Sequence, residues 1–143
     1  MKLHIITRVV LLTVLLTAVT AGAGRDPVDD FQKAHARMAD ALRNADVDEL
    51  VSCYTEDARL SFPLRPDIIG RDEIRRQMEY VLGLGVRGFR IEEDDLFVGE
   101  DVIVQSGVCI FFNETGQEFS RSRFMTVWRK SAGRWRIHRD FVT

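Results

Sequence analysis

The chain has 143 residues, 45% of them hydrophobic and 29% charged, with a formal net charge of −2. That length builds one domain with a core of its own. An acidic balance without a basic block excludes nucleic acid as a partner and gives no grip on an anionic membrane surface.

The first segment is a leader by its pattern. Lys2, His4 and Arg8 precede the apolar run from Val9 to Ala23. A basic head, a short apolar middle and small residues at the end are the layout of a secretory signal peptide. Val19 with Ala21, or Ala21 with Ala23, supplies the small residues of a cleavage site. The run is shorter than the roughly 20 apolar residues of a membrane-spanning helix. The expectation is a signal peptide over 1–23, a single domain over 24–143, and a secreted or periplasmic protein with no membrane attachment after cleavage. The remaining chain holds 18 basic and 22 acidic residues, a net charge of −4.

From Asp26 to Asp46 the apolar residues Val28, Phe31, Ala34, Met38, Ala41 and Leu42 recur at gaps of three and four, one face of a helix. Asp26 ahead of Pro27 is a start signal, because Asp caps and Pro fits the first turn. Asp46, with Glu49 three residues on, opens a second short helix whose apolar side is Leu50, Val51, Cys53 and Tyr54. Ala58, Leu60 and Phe62 alternate with Arg59 and Ser61 as a strand does, and Pro63 ends it. A loop follows. A third helix carries Ile74, Met78, Val81 and Leu82 on one face and stops at Gly83 and Gly85. From Arg87 onward the period is two. Strands are expected over 88–98, 101–113, 117–130 and 134–142, joined by short turns into an antiparallel meander. Helices on one side of such a sheet make an α+β layer architecture.

No spacing of Cys and His suggests a metal site, and no metal or cofactor is expected. Cys53 and Cys109 both lie in apolar patterns. A disulfide, allowed after export, and two buried free thiols both fit. Asn113-Glu114-Thr115 is a glycosylation sequon in a eukaryotic source. Glu92 to Asp95 read as a solvated strand edge, since alternation sends neighbours to opposite faces. His35 reads as a solvated helix residue.

Four stretches, "ALRNADVDELVSCYTEDARLSFP", "IIGRDEIRRQM", "VGEDVIVQSG" and "FMTVWRKSAGRWRIHRDF", carry a resemblance in their order and spacing. Together they resemble the cone-shaped α+β fold of nuclear transport factor 2, ketosteroid isomerase and SnoaL-like polyketide cyclases. The resemblance implies a strongly bent sheet, antiparallel but mixed at its edge, wrapped round the first helix, an apolar small-molecule pocket, and a homodimer. It does not carry over the isomerase's groups. Phe62 stands before Pro63 where that enzyme has an Asp base, and Met38 stands at the place of its Tyr. Similar sequences carry imidazoles near the end of the last strand, where this chain has Arg139 and Phe141. The expected function is therefore a pocketed binding or accessory protein without catalysis. The alternative is a SnoaL-like acid–base enzyme of cyclase, isomerase or dehydratase type, acting on a small hydrophobic or polyketide-like substrate.

An unbroken hairpin through "RKSAGR" would set Trp128 opposite Trp135, Thr126 opposite Ile137 and Phe124 opposite Arg139. The aromatic parity would then face the helices. The expected pocket lining is Met38, Tyr54, Phe62, Trp128, Ile137, Arg139 and Phe141, with Arg139 as an anion-binding group for the acidic end of a hydrophobic ligand. Arg123, His138 and Asp140 would lie outside. A general base at His138 oriented by Asp140 is the alternative polar site, and a cross-strand pair of Arg123 with Asp140 the simpler reading.

Overall fold

The computed structural model describes residues 26–143, so the expected signal segment lies outside the described residues. Asp26 caps α1 (Pro27–Arg43) by accepting from the Val28 N–H at 2.9 Å, with Pro27 in the first turn. Asp46 caps α2 (Val47–Ser52) by accepting from the Glu49 N–H at 3.0 Å. The Glu49 carboxylate does not close a capping box. It takes the guanidinium of Arg37 on α1, which ties the two helices together.

The first strand starts earlier than its alternation suggests. β1 runs Tyr54–Ser61, and Cys53 is the cap of α2. Tyr54 therefore belongs to the sheet and not to the helix, and Phe62 lies just beyond the strand. The expected loop contains a short strand, β2 (Ile68–Ile69), before α3 (Arg71–Gly83). The long strands are β3 (Val86–Val98), β4 (Val102–Asn113), β5 (Glu118–Ser131) and β6 (Arg134–Val142). They form one six-stranded sheet in the order β2-β1-β6-β5-β4-β3. The meander β3 to β6 is antiparallel, while β1 lies parallel to β6. The expected α+β class and mixed edge hold. No described helix is long and apolar enough to cross a membrane.

The core sits between α1 and the inner face of the sheet. Phe31 and Ala34 meet Ile103, Trp128, Trp135 and Ile137, and Phe31 stands edge-on to Trp128 with ring centres 5.2 Å apart. Ala41, Leu42, Leu50 and Val86 form a second buried group. Cys53 and Cys109 are free thiols.

Two bulges decide which side chains face inward. The first is on β3: Glu93 lies opposite Gly107 and Asp95 opposite Ser106, so Asp94 is the extra residue. A Cβ at Gly107 would sit well inside van der Waals contact of the Glu92 carbonyl oxygen, so the bulge needs glycine there. The second is on β6. Trp128 pairs with Ile137 and Val127 with Arg139, which leaves His138 as the extra residue. The expected hairpin register is corrected in two steps: the turn is tighter, with Lys130 rather than Trp128 opposite Trp135, which moves the pairing by two and keeps the faces, and the bulge then adds one residue and swaps them. Thr126 lies opposite Asp140, Met125 opposite Phe141 and Phe124 opposite Val142. Beyond the bulge every side chain of β6 has changed face.

Candidate functional site

A cavity of about 260 Å³ lies between the helices and the sheet. Its apolar wall is built by helical spacing on one side and strand parity on the other. Met38 and Leu42 come from α1, Leu50 from α2, and Met78 and Val81 from α3. Across from them stand Tyr54, Phe89, Phe111, Phe124, Trp128 and Ile137, with Phe62 past the end of β1. Five of the expected lining residues are therefore in place: Met38, Tyr54, Phe62, Trp128 and Ile137.

Two are not. Arg139 and Phe141 fall beyond the bulge and point to the outer face. Phe141 is 43% exposed and lies beside Met125. The Arg139 guanidinium donates to the carbonyls of Asp57 at 3.2 Å and of His138 itself at 2.7 Å. Continuous register would have buried an arginine with five N–H donors against aromatic rings. The bulge buries a carboxyl instead, which can be neutralised by a proton and needs fewer partners.

Asp140 is that carboxyl, and it borders the cavity. Thr126, its cross-strand neighbour, donates to Oδ1 at 2.9 Å. Burial pushes its pKa up to about 6, against the smaller opposing effect of the Thr126 hydrogen bond. Tyr54 is buried nearby. Burial, with the Asp140 charge added, holds its phenol well above the usual range, so it stays protonated. Cys109 also borders the cavity, and burial with the Asp140 charge pushes its thiol up to about 12, an unreactive state.

The second polar group is His35, which reads as solvated in the sequence and in fact borders the cavity. Its Nε2 lies 3.0 Å from Oε1 of Gln105, and the Gln105 amide NH₂ donates to Glu93 at 2.9 Å. A carboxylate can only accept, so it turns the NH₂ of Gln105 toward itself and leaves the amide oxygen for His35. His35 must then donate from Nε2, and its Nδ1 is bare when the ring is neutral. Burial lowers its pKa, outweighing the raising effects of Gln105 and Glu93, which favours that neutral form. Gln105, Thr126 and Asp140 are register partners on three adjacent strands, a polar row across the inner face, and Ser120 and Ser122 add hydroxyls further along β5.

The outer cluster has a different character. His138 Nδ1 lies 3.1 Å from the Thr55 hydroxyl and 3.4 Å from Asp57. Burial and the Arg139 charge lower its pKa. The expected partner, Asp140, faces the other way, so no His138–Asp140 pair exists. Arg123 likewise pairs with Asp94 rather than with Asp140.

His35 and Asp140 border the cavity although the sequence pattern set both outside it. The signal for His35 was present: Phe31, His35, Met38 and Leu42 are spaced by four, three and four, on one helical face. Asp140 had none, because counting parity from Trp135 passes straight through the unannounced bulge.

The chain matches the model of the SnoaL-like domain over residues 35–138 and belongs to that family. Solved structures share the fold. An NTF-2 like protein of unknown function from Shewanella oneidensis is similar at 17% identity and a TM-score of 0.68, covering 82% of this chain and 98% of that one. A ketosteroid isomerase-like protein from Erwinia carotovora atroseptica is similar at 22% identity and a TM-score of 0.60, covering 83% and 96%. A protein of unknown function with a cystatin-like fold from Nostoc punctiforme is similar at 17% identity and a TM-score of 0.64, covering 80% and 88%. No curated protein matches the chain in sequence.

Proposed function

We propose that this chain is an exported acid–base protein that moves a proton on a small, neutral, apolar molecule, with Asp140 as the group that carries it. One observation supports this above the others. Asp140 is a carboxyl on the apolar cavity wall, held by one hydroxyl, with a pKa of about 6. A group poised near the working pH both accepts and donates protons efficiently. In the proposed step the Asp140 carboxylate takes a proton from a C–H next to a carbonyl. The C–H electron pair moves into the new C=C bond, and the carbonyl oxygen gains negative charge. Tyr54, still protonated, is the available O–H donor on the same wall to meet that charge.

The test is deuterium exchange into 2-tetralone, a flat ketone with acidic C–H bonds, followed by NMR in D₂O. The protein is expected to accelerate exchange over buffer, with a rate that rises through pH 6 as Asp140 ionises. Asp140→Asn should lower the protein-dependent rate by about 100-fold or more, the ordinary contribution of a general base. Exchange no faster than buffer sinks the catalytic reading.

The second reading is binding without catalysis. Phe62 before Pro63 and Met38 on α1 favour it, since neither can serve the chemistry that the isomerase relatives carry there. It expects 2-tetralone to bind and not to exchange.

Export and pairing are part of the proposal. Mass spectrometry of the mature protein should find a start between Ala21 and Gly24, and a retained Met1 would refute export. A homodimer is expected through the outer sheet face, where Phe97 is 66% exposed and Met125 49% exposed beside Phe141. Sedimentation at micromolar concentration checks it, and a monomer would count against it.

A further inference from the structure

The cavity's charge inventory is one-sided, although Gln77, Ser120 and Ser122 add neutral polar groups to its wall. Asp140 uses Oδ1 to accept from Thr126, and its Oδ2 takes no hydrogen bond from the described residues. His35 is fixed as an Nε2 donor by Glu93 through Gln105, so its unprotonated Nδ1 is an acceptor. Among the described residues no Lys or Arg side chain borders the cavity. Arg65 lies over the Phe62 ring at 5.0 Å but is not among the lining side chains. An ionised carboxylate thus stands in an apolar wall with one hydroxyl and no cation to balance it. Aromatic rings of Trp128, Phe89 and Phe111 complete the surroundings, and such faces attract cations. An anionic ligand would meet a like charge here. The acid-ended ligand expected from Arg139 therefore does not suit the observed site.

We infer that the cavity takes a hydrophobic primary amine in its ammonium form, seated on the open oxygen of Asp140, and that such an amine blocks the proton transfer of that residue. This rests on the reading of the cavity as the small-molecule site, and it assigns that site a ligand class. The ammonium supplies the positive charge that the wall lacks and donates to the open carboxylate oxygen, while its hydrocarbon part fills the apolar volume. Holding Asp140 ionised, it leaves the carboxylate a weaker base toward a C–H bond.

The pH behaviour follows from the groups that face Asp140. Thr126 on β5 bonds it, its charge acts on Tyr54 of β1 and Cys109 of β4, and His35 of α1 with Gln77 and Met78 of α3 border the same cavity. At neutral pH none of them is a cation that could replace the ligand's charge. Amine affinity should fall as pH drops through 6 and Asp140 takes up its proton.

The experiment is calorimetric titration of the mature chain with 4-phenylbutylamine and with the matched 4-phenyl-1-butanol, at pH 7.5 and pH 5. The amine should bind at least 10-fold tighter than the alcohol at pH 7.5, and most of that preference should vanish at pH 5. Asp140→Asn should erase the preference at pH 7.5. The pH series on the unaltered protein needs no variant to fold. Equal affinities at pH 7.5, a preference for the alcohol, a preference that persists in Asp140→Asn, or no binding of the amine overturns the inference. If the amine fails while 2-tetralone exchange depends on Asp140, the ligand class is wrong and the acid–base reading stands. If the amine preference holds without exchange, the ligand class stands, and the acid–base reading falls together with the block of proton transfer.

Discussion

His138 and Asp140 stand two residues apart on one strand and live in opposite environments. His138 is on the outer face, touching the buried Thr55 hydroxyl and the charged groups of Asp57 and Arg139. Asp140 is on the inner face, with one hydroxyl and otherwise apolar walls. Counted by strand parity alone the two would share a face. The bulge at His138 separates them, and with them the structural and the chemical sides of the sheet. The comparison shows that which titratable group can do chemistry was set here by one inserted residue in a ladder, more than by residue type.

The largest expected effect is on stability, and it runs against intuition. The folded-state pKa of Asp140, about 6, lies above the ordinary carboxyl value. A raised folded pKa means that stability is fully present below the unfolded pKa, near 4, and is lost as pH rises through about 6. That rise corresponds to about 2–3 kcal/mol withheld from the fold at neutral pH. Asp140→Asn should therefore raise stability at pH 7.5 by about that amount and gain nothing below pH 4. Urea denaturation at the two pH values checks it. A variant less stable than the parent at pH 7.5 would mean that the carboxylate is paired, and the contrast with His138 would lose its basis.

Much of this was legible beforehand. Asp26 with Pro27 and Asp46 with Glu49 marked both helix starts, and period two gave all four long strands. The α+β class and five pocket residues followed from periodicity and family resemblance. What failed was local. Tyr54 read as helical because Leu50, Val51, Cys53 and Tyr54 make one apolar cluster whatever the backbone does at Cys53. Neither bulge has a mark of its own at the inserted residue, since Asp94 on the edge strand β3 and His138 on the inner strand β6 are ordinary strand residues. Only Gly107 hinted at one, from the partner strand. Because strand periodicity is exactly two, a single missed insertion inverted every later assignment on β6. Arg139 and Asp140 exchanged roles for that reason alone.

The β3 bulge offers a second, smaller test of the contrast. Gly107→Ala drives a methyl against the Glu92 carbonyl, backbone against side chain, with no flexible atom to yield. A loss of roughly 1–3 kcal/mol is expected for such overpacking. The informative readout is His35. Glu93 reaches Gln105 from this bulge, and both raise the His35 pKa against the lowering effect of burial. If the bulge positions the network, the His35 pKa followed by NMR should drop further in Gly107→Ala. An unchanged value would make Gly107 a packing residue only.

The smallest effect is expected at the residue that looked most important in the sequence. Arg139 is half-buried on the outer face, where its guanidinium is held by two carbonyl oxygens. Truncating it removes hydrogen bonds that water can replace, so Arg139→Ala should change stability by no more than about 1 kcal/mol. It should leave the affinity of 4-phenylbutylamine and of 4-phenyl-1-butanol unchanged within twofold. One measurable consequence reaches its neighbour. Arg139 is, after burial, the next cause of the depressed His138 pKa. Its removal should let that pKa rise, with Asp57 then the main charge beside the ring. NMR titration of His138 and ligand calorimetry on the same variant read both halves together. A rise at His138 with unchanged ligand affinity places Arg139 outside the cavity. A loss of affinity with an unmoved His138 would place it inside, and the bulge register on β6 would be wrong.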